Sequence, residues 1–139
     1  MDCIVIDNSV VMTWAIEDQA DAYADAVHDA LGSVEVIMPP IWPFEVANSL
    51  LVAERRKLIS RQKSDGFLGL LAGLPIAVQA ESPSSAWAGA LAVARKTGLS
   101  AYDASYLHLA SRSGCPIATL DRAMHNAAKK VGVAVFRPR

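Results

Sequence analysis

Apolar residues along this 139-residue chain fall into two patterns. Cys3-Ile4-Val5-Ile6, Val36-Ile37-Met38 and Ile117-Ala118-Thr119-Leu120 are short runs bounded by turn or charged residues, the pattern of strands covered on both faces. Elsewhere apolar residues recur at helical spacing, as Phe44, Ala47 and Leu51 do beside Val46 and Leu50, and Arg55-Arg56-Lys57 then complements the carboxyl end of that helix. With Gly32, Gly98, Gly114 and Gly132 as stops and Pro39-Pro40 as a break, the pattern predicts strands at 2–6, 34–38, 76–78, 117–120 and 134–136. Between them it predicts a short helix capped near Ser9 and helices at 20–31, 43–57, 61–73, 83–96, 101–113 and 122–130. Strands alternating with helices imply an α/β fold, a three-layer α/β/α sandwich with a mostly parallel five-stranded sheet, in a single domain over 1–139.

Composition narrows this picture. With 53% hydrophobic and 19% charged residues the chain reads as globular, with little room for disorder. Its net charge of -1 argues against coating nucleic acid by bulk electrostatics, while leaving open a nuclease whose positive charge arrives as bound metal. Cys3 and Cys115 have no zinc or redox spacing and read as reduced core thiols of a cytoplasmic protein. No signal peptide is evident, and the apolar segment 66–80 is too short to span a bilayer and is broken by Pro75. It reads as a buried helix turning into a strand, in which Gly66, Gly69 and Gly73 permit close packing.

The candidate chemistry lies in four carboxylates at element ends. Asp7 closes the first strand and Asp121 the fourth, at the edge of a parallel sheet where ligands bind, while Glu45 and Asp103 sit at helix starts. Glu45, Asp103 and Asp121 are each explained singly as helix caps or first-turn acids. Asp103, however, shares a helical stripe with Tyr106, Leu107 and Ala110, which points it inward, and Glu45 shares a face with Asn48 and Ser49. Converging carboxylates repel one another, and a hard divalent cation such as Mg²⁺, with Mn²⁺ as substitute, removes that penalty. Such a site can activate water and stabilise charge on a phosphodiester without a side-chain nucleophile. The chain has no G-x-S-x-G elbow and no phosphate loop ending in Gly-Lys-Ser/Thr.

Asp7-Asn8-Ser9, Pro39-Pro40 followed by Glu45-Val46-Ala47-Asn48, Ser100-Ala101-Tyr102-Asp103-Ala104-Ser105-Tyr106-Leu107, and Ala118-Thr119-Leu120-Asp121 resemble, in order, the four signatures of PIN-domain ribonucleases. More narrowly the chain resembles VapC-type toxins of toxin–antitoxin pairs, over essentially its whole length. The resemblance implies a Mg²⁺- or Mn²⁺-dependent endoribonuclease with Asp7, Glu45, Asp103 and Asp121 as catalytic, metal-holding acids. Ser9 and Thr119 would give hydrogen-bonding support, and Asn48 would orient Glu45 or a metal-bound water. It also implies an RNA substrate, a VapB-type antitoxin as partner, and a homodimer or a heterotetramer or larger with that antitoxin. Some relatives carry an extra acid after the last motif. Here Ala123 and Asn126 follow Asp121, so one tightly held ion is expected, with a second recruited by RNA phosphate.

Two other readings compete. One is a catalytically silent PIN-like module that binds RNA or protein. The other is a phosphorelay receiver domain, which needs clustered acids after the first strand and a Lys ending the last, whereas Asn8 and Ser9 follow Asp7 and Phe136 precedes Arg137. His28, His108 and His125 are scattered and read as surface residues, since carboxylate sites favour Mg²⁺ over imidazole chemistry. Arg55, Arg56, Lys57, Arg61 and Lys63 form the densest basic group, read as a solvated helix end with RNA guidance as the alternative.

Overall fold

The computed structural model describes residues 2–16 and 19–138. Its elements are β1 (Cys3–Ile6), α1 (Asn8–Ala15), α2 (Ala22–Ala30), β2 (Glu35–Met38), α3 (Trp42–Arg55), α4 (Arg61–Ala72), β3 (Ile76–Val78), α5 (Pro83–Thr97), α6 (Ala101–Ser113), β4 (Ile117–Ala118) and α7 (Arg122–Lys130). The strands form one parallel sheet in the order β3-β2-β1-β4. Ile4, Val5 and Ile6 are all buried, and because successive side chains point to opposite faces, both faces of β1 are covered by helices. Among the described residues no helix is long and apolar enough to cross a membrane.

Strand order decides where a ligand can sit. The chain leaves β1 toward β2 on one side, and β4 pairs on the other, so the order in which strands are added reverses between β1 and β4 while all remain parallel. At such a switch point the connections after the two strands diverge and open a crevice at their carboxyl ends. Asp7 follows β1 there, and Asp121 follows β4 after a two-residue turn.

Among the described residues the sheet has four strands rather than five. At 134–136 the chain makes a single parallel bridge, Ile117 to Val135, through Ile117 N donating to Ala134 O (2.9 Å) and Phe136 N donating to Ile117 O (2.8 Å). Pro138 has no N–H with which to extend that pairing. β4 is likewise shorter than expected, because Thr119 and Leu120 leave the ladder for side-chain partners described below.

The expectation of two separate reduced thiols is overturned. β1 and β4 pair with Val5 opposite Ile117, so two residues upstream on each chain Cys3 faces Cys115. Their Cα atoms are 5.3 Å apart and the two are joined as a disulfide across 112 residues of sequence. Cysteine usage therefore does not speak for a cytoplasmic setting.

The 66–80 segment is less buried than its composition suggests. α4 buries Ser64, Phe67 and Leu71, while Leu68, Leu70 and Val78 are exposed. A Cβ at Gly66 or Gly69 would meet nothing, and one at Gly73 would make ordinary contact, so these glycines do not serve close packing. The glycine that does is Gly89 on α5, where a Cβ would run into the His108 ring of α6. α5 has no buried residue, and α6 is its main neighbour. The two are locked by His108 Nε2 against Glu81 Oε2 (2.6 Å), with Ser85 Oγ donating to the same oxygen (2.7 Å).

Candidate active site

The crevice between β1 and β4 is held by a closed set of hydrogen bonds. Asp7 N donates to Ala118 O (2.8 Å), continuing the β1–β4 pairing past the strand ends and setting Asp7 beside Thr119. Asp7 is 5% exposed, and its Oδ2 accepts from both Ser9 Oγ (2.8 Å) and Thr119 Oγ1 (2.8 Å). Leu120 N in turn donates to Ser9 Oγ (3.1 Å) and Asp121 N to Thr119 Oγ1 (3.0 Å). Each hydroxyl accepts from one corner of the fold and donates to Asp7. Ser9 is thus not a helix cap; it sits inside the first turn of α1 and ties the β1–α1 corner to the β4–α7 corner.

The other three acids arrive on helices. Asp103 lies in the first turn of α6, where Ser100 rather than Asp103 is the N-cap, accepting from Asp103 N (3.1 Å). Glu45 lies in the first turn of α3, and its Oε1 accepts from the hydroxyl of Tyr106. Asp121 alone uses its side chain as a cap, Oδ1 accepting from Ala123 N (2.9 Å), which leaves its second oxygen free of that duty. The inward stripe read from the sequence of α6 therefore bears on both Asp103 and Tyr106.

Electrostatics bind the four into one group. Burial, then the charges of Asp103 and Asp121, raise Asp7 above the usual carboxylate range against the lowering effect of its two hydroxyl donors. Burial raises Glu45 as well, opposed by the Tyr106 bond and reinforced by Asp103 and Asp7. Asp103 is raised by burial and by Asp121, with the Ser100 bond opposing. Tyr106, fully buried and facing Glu45, is pushed far above the usual phenol range.

Such charge asks for a counterion. Among the described residues the ion pairs within 4 Å are both on Glu81, with His108 and Arg112, and none reaches Asp7, Glu45, Asp103 or Asp121. No three His, Cys, Asp or Glu side chains among the described residues stand close enough to ligate one ion as they are. Asp7, Glu45 and Asp103 nonetheless each feel the charge of others in the group, and the four offer hard oxygen donors that no ion pair among the described residues occupies, a set that suits Mg²⁺ or Mn²⁺. The residues present fit such an ion in chemistry.

Asn48 is exposed on the wall of a cavity that also holds Glu45, Asn8 and Tyr102, and among the described residues no hydrogen bond joins it to Glu45. The donor to Glu45 is Tyr106, which sequence reasoning placed on the right stripe without a role. A buried tyrosine needs a partner for its hydroxyl, and that was the signal available. Asn8, also unassigned from sequence, donates to Ser49 Oγ (3.1 Å) and so braces α1 against α3 beside the acids.

Comparison with known proteins follows the same outline. Residues 4–130 match the model of the PIN domain family. The chain is 27% identical to Ribonuclease VapC3 of Pyrobaculum aerophilum over 119 residues, covering 86% of this chain and 89% of that protein. Its fold is similar to the solved structure of PAE2754 from Pyrobaculum aerophilum, with a TM-score of 0.66 at 22% identity, covering 96% of this chain and 90% of that one. It is also similar to FitAB bound to the IR36 DNA fragment, with a TM-score of 0.60 at 22% identity, covering 97% and 94%.

Proposed function

We propose that this chain, which belongs to the PIN-domain family, is a divalent-metal-dependent endoribonuclease acting as the toxin of a toxin–antitoxin pair in the cytoplasm. What supports the reading is that Asp7, Glu45 and Asp103 are each raised by burial and by the charge of other acids in the set Asp7, Asp103 and Asp121, while among the described residues no ion pair reaches any of the four. Mg²⁺ or Mn²⁺ held by these carboxylates would supply Lewis-acid stabilisation of the charge that develops on a scissile phosphodiester.

The chain's own residues do the rest. Ser9 and Thr119 fix the Oδ2 edge of Asp7, so its other oxygen is presented in one orientation. Tyr106 fixes one oxygen of Glu45 and leaves the second free of that bond. Asp7, Glu45 and Asp103 must be ionised to hold a cation and each is raised above the usual carboxylate range, so binding should weaken as pH falls through those raised values. No side-chain nucleophile is required. By family resemblance the partner is a VapB-type antitoxin, and the toxin acts as a homodimer or in a larger assembly with it.

The test is incubation of purified protein with RNA and Mn²⁺. Cleavage that disappears in Asp7→Asn and in Asp103→Asn, and in chelator, supports the reading. Retained cleavage by either variant or in excess EDTA would sink the mechanism. RNA binding without cleavage would mark a catalytically silent module.

A further inference from the structure

The densest basic group in the sequence is not where the structure offers RNA a path. Arg55 is ten residues beyond Glu45 on the same helix, about 15 Å along its axis, and Lys57, Arg61 and Lys63 come in the chain after that helix ends. That distance exceeds a Debye length of about 8–10 Å at ordinary salt, and the cavity bordered by Lys57, Arg61 and Lys63 shares no residue with the acid cluster.

A second cavity, of about 530 Å³, does share residues with it. Thr119 and Asp121 line one end, and Arg122, His125, Asn126 and Lys129 continue along α7. Met124, Ala127 and Ala128 are buried, so α7 is anchored by its apolar face. Arg122 and Lys129 are both exposed on the opposite side, on a rigid element. Among the described residues neither forms an ion pair. With a net charge of only -1 over the chain, a local stripe rather than bulk charge has to attract an anion.

Resting on the nuclease reading above, we propose that the α7 face of Arg122, His125, Asn126 and Lys129 is a subsite for the phosphate backbone of the RNA, leading the strand to the acid cluster at Asp121. Arg122 and Lys129 supply charge, while His125 and Asn126 offer hydrogen-bond donors to phosphate oxygens between them. Cations beside the crevice also offset the repulsion between phosphate and the four acids as the strand enters.

The experiment is fluorescence anisotropy of a labelled, unstructured RNA 12-mer with the full chain in EDTA, at salt from about 50 to 200 mM. On a single strand each phosphate contact contributes about 0.7 to the salt slope, or about fivefold in affinity at 0.1 M. Arg122→Ala/Lys129→Ala should therefore weaken binding about 25-fold and make the slope shallower by about 1.4. Arg61→Ala/Lys63→Ala should leave both unchanged, and Arg122→Lys should keep the wild-type slope. In Mn²⁺ the α7 double variant should raise KM and leave kcat as it was. Both positions are exposed, so matched melting curves verify folding. An unaltered slope in the α7 variant, or an equal loss in the Arg61/Lys63 variant, overturns the subsite while wild-type cleavage keeps the nuclease reading intact. Wild-type protein that neither binds nor cleaves RNA overturns both.

Discussion

Asp7→Asn should cost the protein its activity and make its metal-free fold more stable. Asp7 is 5% exposed, and among the described residues no ion pair within 4 Å offsets its charge. An ionised carboxylate in such a place costs several kcal/mol after relaxation, here taken as about 4. Ser9 and Thr119 return part of this, since a hydrogen bond to a charged acceptor contributes about 1.5–3 kcal/mol against about 1 for a neutral one. Asparagine keeps the shape and can accept both bonds as neutral ones, losing about 2–3 kcal/mol in all while removing the burial penalty and the repulsion from Asp103 and Asp121. The balance is about 1–2 kcal/mol in favour of the variant, a rise in Tm of about 3–10 °C for a chain of this size.

Thermal melts in EDTA and in MnCl₂ measure this. Wild type should gain about 2.7 kcal/mol when Mn²⁺ stands hundredfold above its Kd, and the variant much less, so the order of stability reverses with metal. The pH dependence has a definite sign. Asp7 is raised in the fold, so the folded chain binds more protons than the unfolded one through that window. In metal-free wild type the Asp7 contribution to stability is then fully present below the ordinary aspartate pKa of about 3.9 and is lost as pH rises through the raised value, while the variant has no such dependence. The gap between them should close on acidification. A variant no more stable than wild type in EDTA near neutral pH, or one that gains as much from Mn²⁺, would refute this account of the cluster.

Three further outcomes follow from packing beside the site and elsewhere in the fold. Tyr106→Phe keeps a fully buried ring and removes the donor to Glu45, so it should cost about 1 kcal/mol in stability but weaken Mn²⁺ binding about 10–100-fold in titration calorimetry. Gly89→Ala gains up to about 1 kcal/mol of helix propensity. It also drives the His108 ring off Glu81, and overpacking of about 1–3 kcal/mol should leave the variant less stable in urea titrations; a more stable variant would mean that α5 and α6 are not in this register. Cys3→Ser or treatment with reductant should lower stability by about 2–4 kcal/mol, and two thiols reactive to dye in the unreduced native protein would show that the cysteines are unlinked.

How much of this was legible beforehand differs by element. β3 and α7 fall at the bounds their patterns predict, and α6 does so under Ser100 and Gly114, because caps, glycine stops and apolar period are local signals. The fifth strand failed because pairing is not local: the 134–136 segment has strand composition, but its neighbour β4 gives up Thr119 and Leu120 to hold Asp7 and Ser9. In the same way the cysteines carried no pairing motif, and only the register of β1 against β4 sets them face to face.

By itself the sequence determined the α/β class and the positions of four acids at element ends, since hydrophobic period and terminal residues are written along the chain. The tertiary structure decided what those acids have in common. Strand order put Asp7 and Asp121 at one switch point, Tyr106 and the two hydroxyls aimed their oxygens, and the absence of a paired cation among the described residues left their charge to be met from outside. It also moved the phosphate path proposed here from the densest run of basic residues to the sparser stripe on α7. Charge density is a property of the sequence, whereas distance to the reacting centre exists only once the chain has folded.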